Sequence, residues 1–97
     1  MSEEAVYRFR ARGRVQGVAF RAHAQARAQA IGVRGWVANA ADGSVVGVAA
    51  GAPEALEAFR DVLASGPPAA RVDQLDWQPA ETAPRKDTFV IAPDVAG

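Results

Sequence analysis

The chain has 97 residues, enough for one domain of ordinary size but not for a catalytic domain beside a separate cofactor fold. Hydrophobic residues make up 49% and charged residues 23%, a globular balance that argues against disorder. Eleven basic and eleven acidic residues cancel, cysteine is absent and His23 is the sole histidine, which excludes a polyanion-coating charge, disulfides, thiolate chemistry and any cysteine- or histidine-rich metal site.

From Ala5 to Val15 the residues alternate, with Tyr7, Phe9, Ala11, Gly13 and Val15 on one side and Arg8, Arg10, Arg12 and Arg14 on the other. Period two predicts a strand with one buried and one wet face. Gln16-Gly17 breaks it. Phe20, Ala24, Ala28 and Ile31 then fall at helical spacing, and Gly32 supplies the stop. Val33–Asn39 reads as a second strand and Ala41-Asp42-Gly43-Ser44 as a turn, with Asp-Gly as its signal. Ser44–Ala50 reads as a third strand. Pro53, favoured at a first helical position, opens a second helix striped by Leu56, Phe59 and Leu63 and ended by Gly66-Pro67-Pro68. Arg71–Gln78 predicts a fourth strand of weaker pattern. Glu81–Asp87 reads as a polar loop and Thr88–Ala92 as a short last strand. This order predicts an α+β, ferredoxin-like βαββαβ sandwich, mostly antiparallel, with both helices on one face and the arginine row on the other.

Zero net charge hides an asymmetry. Residues 1–40 carry seven arginines against two glutamates, and residues 41–97 carry four basic groups against nine carboxylates, so the halves stand at +5 and −5. No run approaches the roughly 18–20 apolar residues that span a bilayer. The start, Met1-Ser2-Glu3-Glu4, lacks the basic and apolar pattern of a signal peptide. A cytoplasmic protein with no membrane partner is the expectation.

Gly13-Arg14-Val15-Gln16-Gly17-Val18-Ala19-Phe20-Arg21 is where chemistry concentrates. A strand, a glycine-containing loop and a helix start follow within a few residues. Loop N–H groups can there converge with the helix's unpaired amides and positive end on one anion, and Arg21 can add a guanidinium. The motif lacks the endings of nucleotide- and dinucleotide-binding loops. On the residues alone, a phosphate-sized anion site and a tight turn with solvated arginines both stand.

That stretch, followed by Gly35-Trp36-Val37-Ala38-Asn39 and Asp42-Gly43-Ser44-Val45, resembles the two signature stretches of the acylphosphatase family. The likeness runs from Tyr7 to Ile91 and takes in Gly51, Gly66-Pro67 and Phe89-Val90-Ile91. It implies the same ferredoxin-like fold and hydrolysis of the mixed anhydride of small acyl phosphates to carboxylate and inorganic phosphate, with no cofactor and no metal. Carried over residue by residue, Val15, Gln16, Gly17, Val18, Ala19 and Phe20 form the phosphate cradle. Arg21 holds the phosphate, and Asn39 orients the attacking water. The expectation is one domain over residues 1–97, loosely held at 1–4 and 93–97, acting as a monomer.

Two positions depart from the family pattern. Ala40 stands where threonine is common, which bears on turnover. Ala92-Pro93-Asp94 replaces a basic or aromatic ending, a change expected to bear on stability and to leave the phosphate ligands untouched. The alternative function is a non-catalytic anion-binding or interaction module, and acylphosphatase-like units also occur inside larger carbamoyl-transferring proteins. A pure sensor has no use for a water-orienting amide, so Asn39 discriminates. His23, off the apolar stripe, reads as a solvated helix residue, with a secondary substrate contact as the alternative. Arg8, Arg10 and Arg12 lie on a strand without the aromatic motif of RNA-recognition domains, so no nucleic-acid partner is expected. Trp36 and Trp77 read as packing residues.

Overall fold

A computed structural model describes residues 4–96. The strands are β1 (Ala5–Arg14), β2 (Arg34–Asn39), β3 (Val45–Gly51), β4 (Arg71–Pro79) and β5 (Phe89–Ile91), and the helices are α1 (Phe20–Ile31) and α2 (Pro53–Ser65). The sheet runs β4-β1-β3-β2-β5. Its pairs are antiparallel except β2 with β5, which is parallel. The expected α+β, ferredoxin-like layering is present.

Both helices cover one face. α1 lies over β2 and β5, α2 over β4, β1 and β3, and the helices touch each other. α1 turns Phe20, Ala24 and Ala28 inward, and α2 turns Leu56, Phe59 and Leu63 inward. Those stripes meet Phe9, Ala11, Val37, Val45 and Ala49 of the sheet. Phe59 is fully buried and meets Phe9 and Phe89 edge-on, with ring centroids 6.0 and 5.2 Å apart. Trp77 stacks on Tyr7 at 4.9 Å, which makes it a packing residue. Trp36 lies half-buried on the opposite, open face, beside Val46 and Val48.

Gly35 holds β2 against β3. Its φ is +144°, and a Cβ there would collide with the Val48 carbonyl oxygen. Gly35→Ala is expected to cost about 3 kcal/mol or more, because backbone on the neighbouring strand must move. For a chain of this size that lowers Tm by about 12 °C or more, measurable by thermal unfolding.

Of the ends expected to be loosely held, residues 1–3 and Gly97 lie outside the described residues. Glu4 accepts two hydrogen bonds from Arg34, at 2.6 and 2.9 Å. The same guanidinium donates to the carbonyls of Pro84 and Lys86, so one arginine ties the start of β1 to the β4–β5 loop. Beyond β5 the chain keeps company with β2. Ala92 N–H bonds the Val37 carbonyl, Val95 N–H bonds the Asn39 carbonyl, and Ala41 N–H bonds the Val95 carbonyl, at 2.8–3.0 Å.

Candidate active site

The end of β1, the β2–β3 turn, the start of α1 and the C-terminal tail meet at one end of the sheet. Pairing fixes this: Val45 lies opposite both Ala11 and Asn39, so the β1 exit and the β2 exit are neighbours across β3.

The loop after β1 is built by its backbone. Gly17 and Ala19 adopt φ of +76° and +65°, on either side of Val18. Alternating handedness of this kind turns successive N–H groups toward one side, forming a nest. For Ala19 the left-handed region costs about 1–2 kcal/mol, and such strain gathers at binding loops. Ala19 is also the N-cap of α1 and offers no side-chain hydrogen bond, and no acidic residue lies in the first turn. Among the described residues the main-chain amides from Gln16 to Ala22 donate to no other backbone group. They are a set of unclaimed donors at the positive end of a helix.

Side chains of the loop serve as its anchors. Val15 and Phe20 are buried in the core at either end, and Val18 packs against it. Gln16 turns back: its Nε2 donates to the carbonyls of Ala40 and Ser44, each at 2.9 Å. The side chains of Val15, Val18 and Phe20 thus hold the loop to the core and Gln16 holds it to the β2–β3 turn, while the loop's main-chain amides stay without backbone partners among the described residues.

Asn39 ends β2 beside that turn. Its Oδ1 is buried and has no hydrogen-bond partner among the described residues. A buried polar atom left so costs about 1–3 kcal/mol, and native chains keep few of them. Ala40, next along, is buried at 4% exposure, and its N–H bonds the Ser44 carbonyl. Together with the Gln16 amide on its carbonyl, this backbone bond holds Ala40 in place.

Arg21 lies in the first turn of α1, partly exposed. Its Nη1 stands 3.9 Å from Asp94 Oδ1, within ion-pair range but beyond hydrogen-bond reach. Asp94 belongs to the tail that was expected to affect stability alone. The structure corrects that expectation, because backbone pairing of the tail with β2 carries the carboxylate to the Arg21 guanidinium. His23, two residues on, is half-buried.

The open-face arginines brace the turn. Arg10 and Arg12 both donate to Asp42 Oδ2, at 3.1 and 3.2 Å, and Arg8 donates to Gln78 at 2.7 Å. Asp42 also accepts from the Ser44 hydroxyl and N–H. These bonds, led by the Ser44 hydroxyl and helped by the two guanidinium groups, lower the Asp42 pKa from 3.8 to about 2. A carboxyl whose pKa falls on folding stabilises the fold fully above its unfolded value, and loses that effect as pH falls through the folded value. Asp42→Asn is therefore expected to lower Tm at pH 7, with the difference from the parent shrinking below about pH 4 and vanishing only below about pH 2. A pH series of melting curves for the two proteins checks this.

Sequence reasoning placed Arg21, Asn39 and the cradle loop, and the structure brings them to one end of the sheet. It missed the Gln16 bridge, the Asp42–Ser44 brace and Asp94. The Gln16 bridge and Asp94 carry no local signal, since their partners are distant in sequence, whereas Asp42 and Ser44 are two residues apart and only the arginines that join them come from afar.

A family model described as acylphosphatase matches residues 7–91. An acylphosphatase of Cupriavidus pinatubonensis is 51% identical over 71 residues, covering 73% of this chain and 79% of that protein. One from Synechococcus sp. is 46% identical over 88 residues, covering 91% and 74%. The crystal structure of acylphosphatase from Bacillus subtilis, 32% identical, superimposes with a TM-score of 0.85 over 93% of this chain and 99% of that one.

Proposed function

The chain belongs to the acylphosphatase family, and from that premise we propose that its loop Val15–Phe20 and Arg21 hold the phosphate of the substrate while Asn39 orients the attacking water. The reaction is hydrolysis of the carboxyl–phosphate anhydride of a small acyl phosphate to carboxylate and inorganic phosphate.

Such a substrate brings its own good leaving group, a carboxylate, so no strong acid is asked of the protein. What remains is placing a dianion and a water in line and balancing charge as it moves. Main-chain amides of the loop supply fixed donors. Arg21 supplies a permanent charge able to grip two phosphate oxygens at once. The Asn39 amide accepts a hydrogen bond from water through Oδ1 without titrating, and the substrate's own phosphate takes the proton. The observation that carries this reading is the buried Asn39 Oδ1 without a partner among the described residues, at the same end of the sheet as loop amides that donate to no other backbone group there. A non-catalytic anion module is not favoured, since it leaves that atom without a purpose.

We read the enzyme as a monomer in the cytoplasm. Among the described residues Ile91 alone is a large apolar side chain left exposed, which offers little surface for self-association. An ionised substrate that does not cross membranes unaided suits the compartment where it is made. Benzoyl phosphate is the test: the protein is expected to hydrolyse it well above the spontaneous rate, with inorganic phosphate as a competitive inhibitor. Only the spontaneous rate would overturn the reading.

A further inference from the structure

We propose that Asp94 is a built-in anionic competitor for Arg21, holding its guanidinium in the empty enzyme and weakening the grip on phosphate. The proposal rests on the reading of Arg21 as the phosphate anchor.

The tail is shaped to deliver this carboxylate. Ala92 N–H bonds the Val37 carbonyl and Val95 is bonded on both sides, to Asn39 and Ala41, so the residues flanking Pro93-Asp94 are fixed to β2. Pro93 has a restricted φ and no N–H of its own to donate. Asp94 Oδ1 then stands 3.9 Å from Arg21 Nη1, with the aspartate side chain 75% and the arginine side chain 37% exposed. Among the described residues the carboxylate accepts no hydrogen bond, and Arg21 is its ion-pair partner. It is held near the cation yet left hydrated, close enough to compete and loose enough to yield.

A phosphate dianion arriving at Arg21 has to separate this pair and then sit near the same negative charge. Each effect raises the KM for substrate and the Ki for product. For an enzyme whose product carries the group it binds best, weakening that grip speeds release. One unit charge acting on a dianion across a few ångströms of water-exposed space is worth about three- to tenfold in affinity. Screening tunes it, because the Debye length shrinks from about 30 Å at 0.01 M salt to about 3 Å at 1 M.

Asp94→Asn keeps size and polarity and removes the charge. In 0.01 M salt its Ki for inorganic phosphate, measured against benzoyl phosphate hydrolysis, is expected to fall about three- to tenfold, with KM falling alongside and kcat not rising. In 1 M salt the difference should shrink to less than about twofold. Asp94→Glu, which keeps the charge, should behave as the parent, an outcome that a merely structural role for the side chain does not require. A Ki for Asp94→Asn equal to or above the parent's in low salt overturns the proposal, as does an effect that persists undiminished in 1 M salt. Calorimetric titration of Arg21→Ala with inorganic phosphate separates the two readings. If that variant binds phosphate as the parent does, the anchor reading fails. If it loses phosphate while Asp94→Asn gains nothing, the competitor alone fails.

Discussion

Asn39→Ala is expected to lower kcat about a hundred- to a thousandfold, the range seen when one preorganised polar group is removed from a transition state, while leaving the Ki for inorganic phosphate within about twofold of the parent. The geometry dictates the split. Asn39 lies on β2, across β3 from the loop, and its Oδ1 is buried without a partner among the described residues. Removing it also removes an unsatisfied oxygen, so stability should hold or rise slightly. Loss of activity then cannot be assigned to unfolding. The measurement is kcat with benzoyl phosphate, phosphate inhibition and Tm on one preparation. A Ki raised as strongly as kcat is lowered would show that Asn39 binds phosphate, and the division of labour would be wrong.

Arg21→Ala should give the opposite pattern. Two charge-assisted hydrogen bonds to one anion are worth about 3–5 kcal/mol together, so phosphate affinity should fall by about a hundredfold to several thousandfold. Arg21→Lys should recover little of this. An ammonium is a point charge that cannot engage two oxygens in the plane of a fork. The partial exposure of Arg21 and its position on α1, away from the core stripe of Phe20, Ala24 and Ala28, mean that neither change should disturb the fold. Titration with inorganic phosphate checks both variants. Near-parental affinity in the lysine protein would refute two-pronged binding.

Much of the architecture was legible from single residues. Tyr7, Phe9 and Ala11 alternate with arginines, and the strand they predict is β1 with those residues turned toward the helices. Phe20, Ala24 and Ala28 fix the buried face of α1, and Gly32 ends it with φ +94°. Pattern weakened where burial did. β4 is an edge strand whose residues are all exposed or half-buried, so Arg71–Pro79 shows little alternation. β5 is three residues long and pairs with β2 in parallel, a partnership no local signal announces.

The site was legible to the extent that motifs are local. The cradle and Arg21 follow one another in the chain, and Asn39 stands in the second signature stretch. Beyond that, interactions span distance. Gln16 reaches carbonyls 24 and 28 positions later, and a glutamine in a loop gives no hint of where its amide goes. Asp94 read as part of an unusual ending, and only the hydrogen bonds of Ala92 and Val95 with β2 reveal what it faces. The arginine row read as an open basic surface, yet Arg10 and Arg12 converge on Asp42.

Val95 fastens the strand end that carries Asn39 and the turn that follows it. Its two hydrogen bonds join one tail residue to both sides of the Asn39–Ala41 corner, so fraying of that short segment would loosen the strand exit and the turn together rather than one at a time.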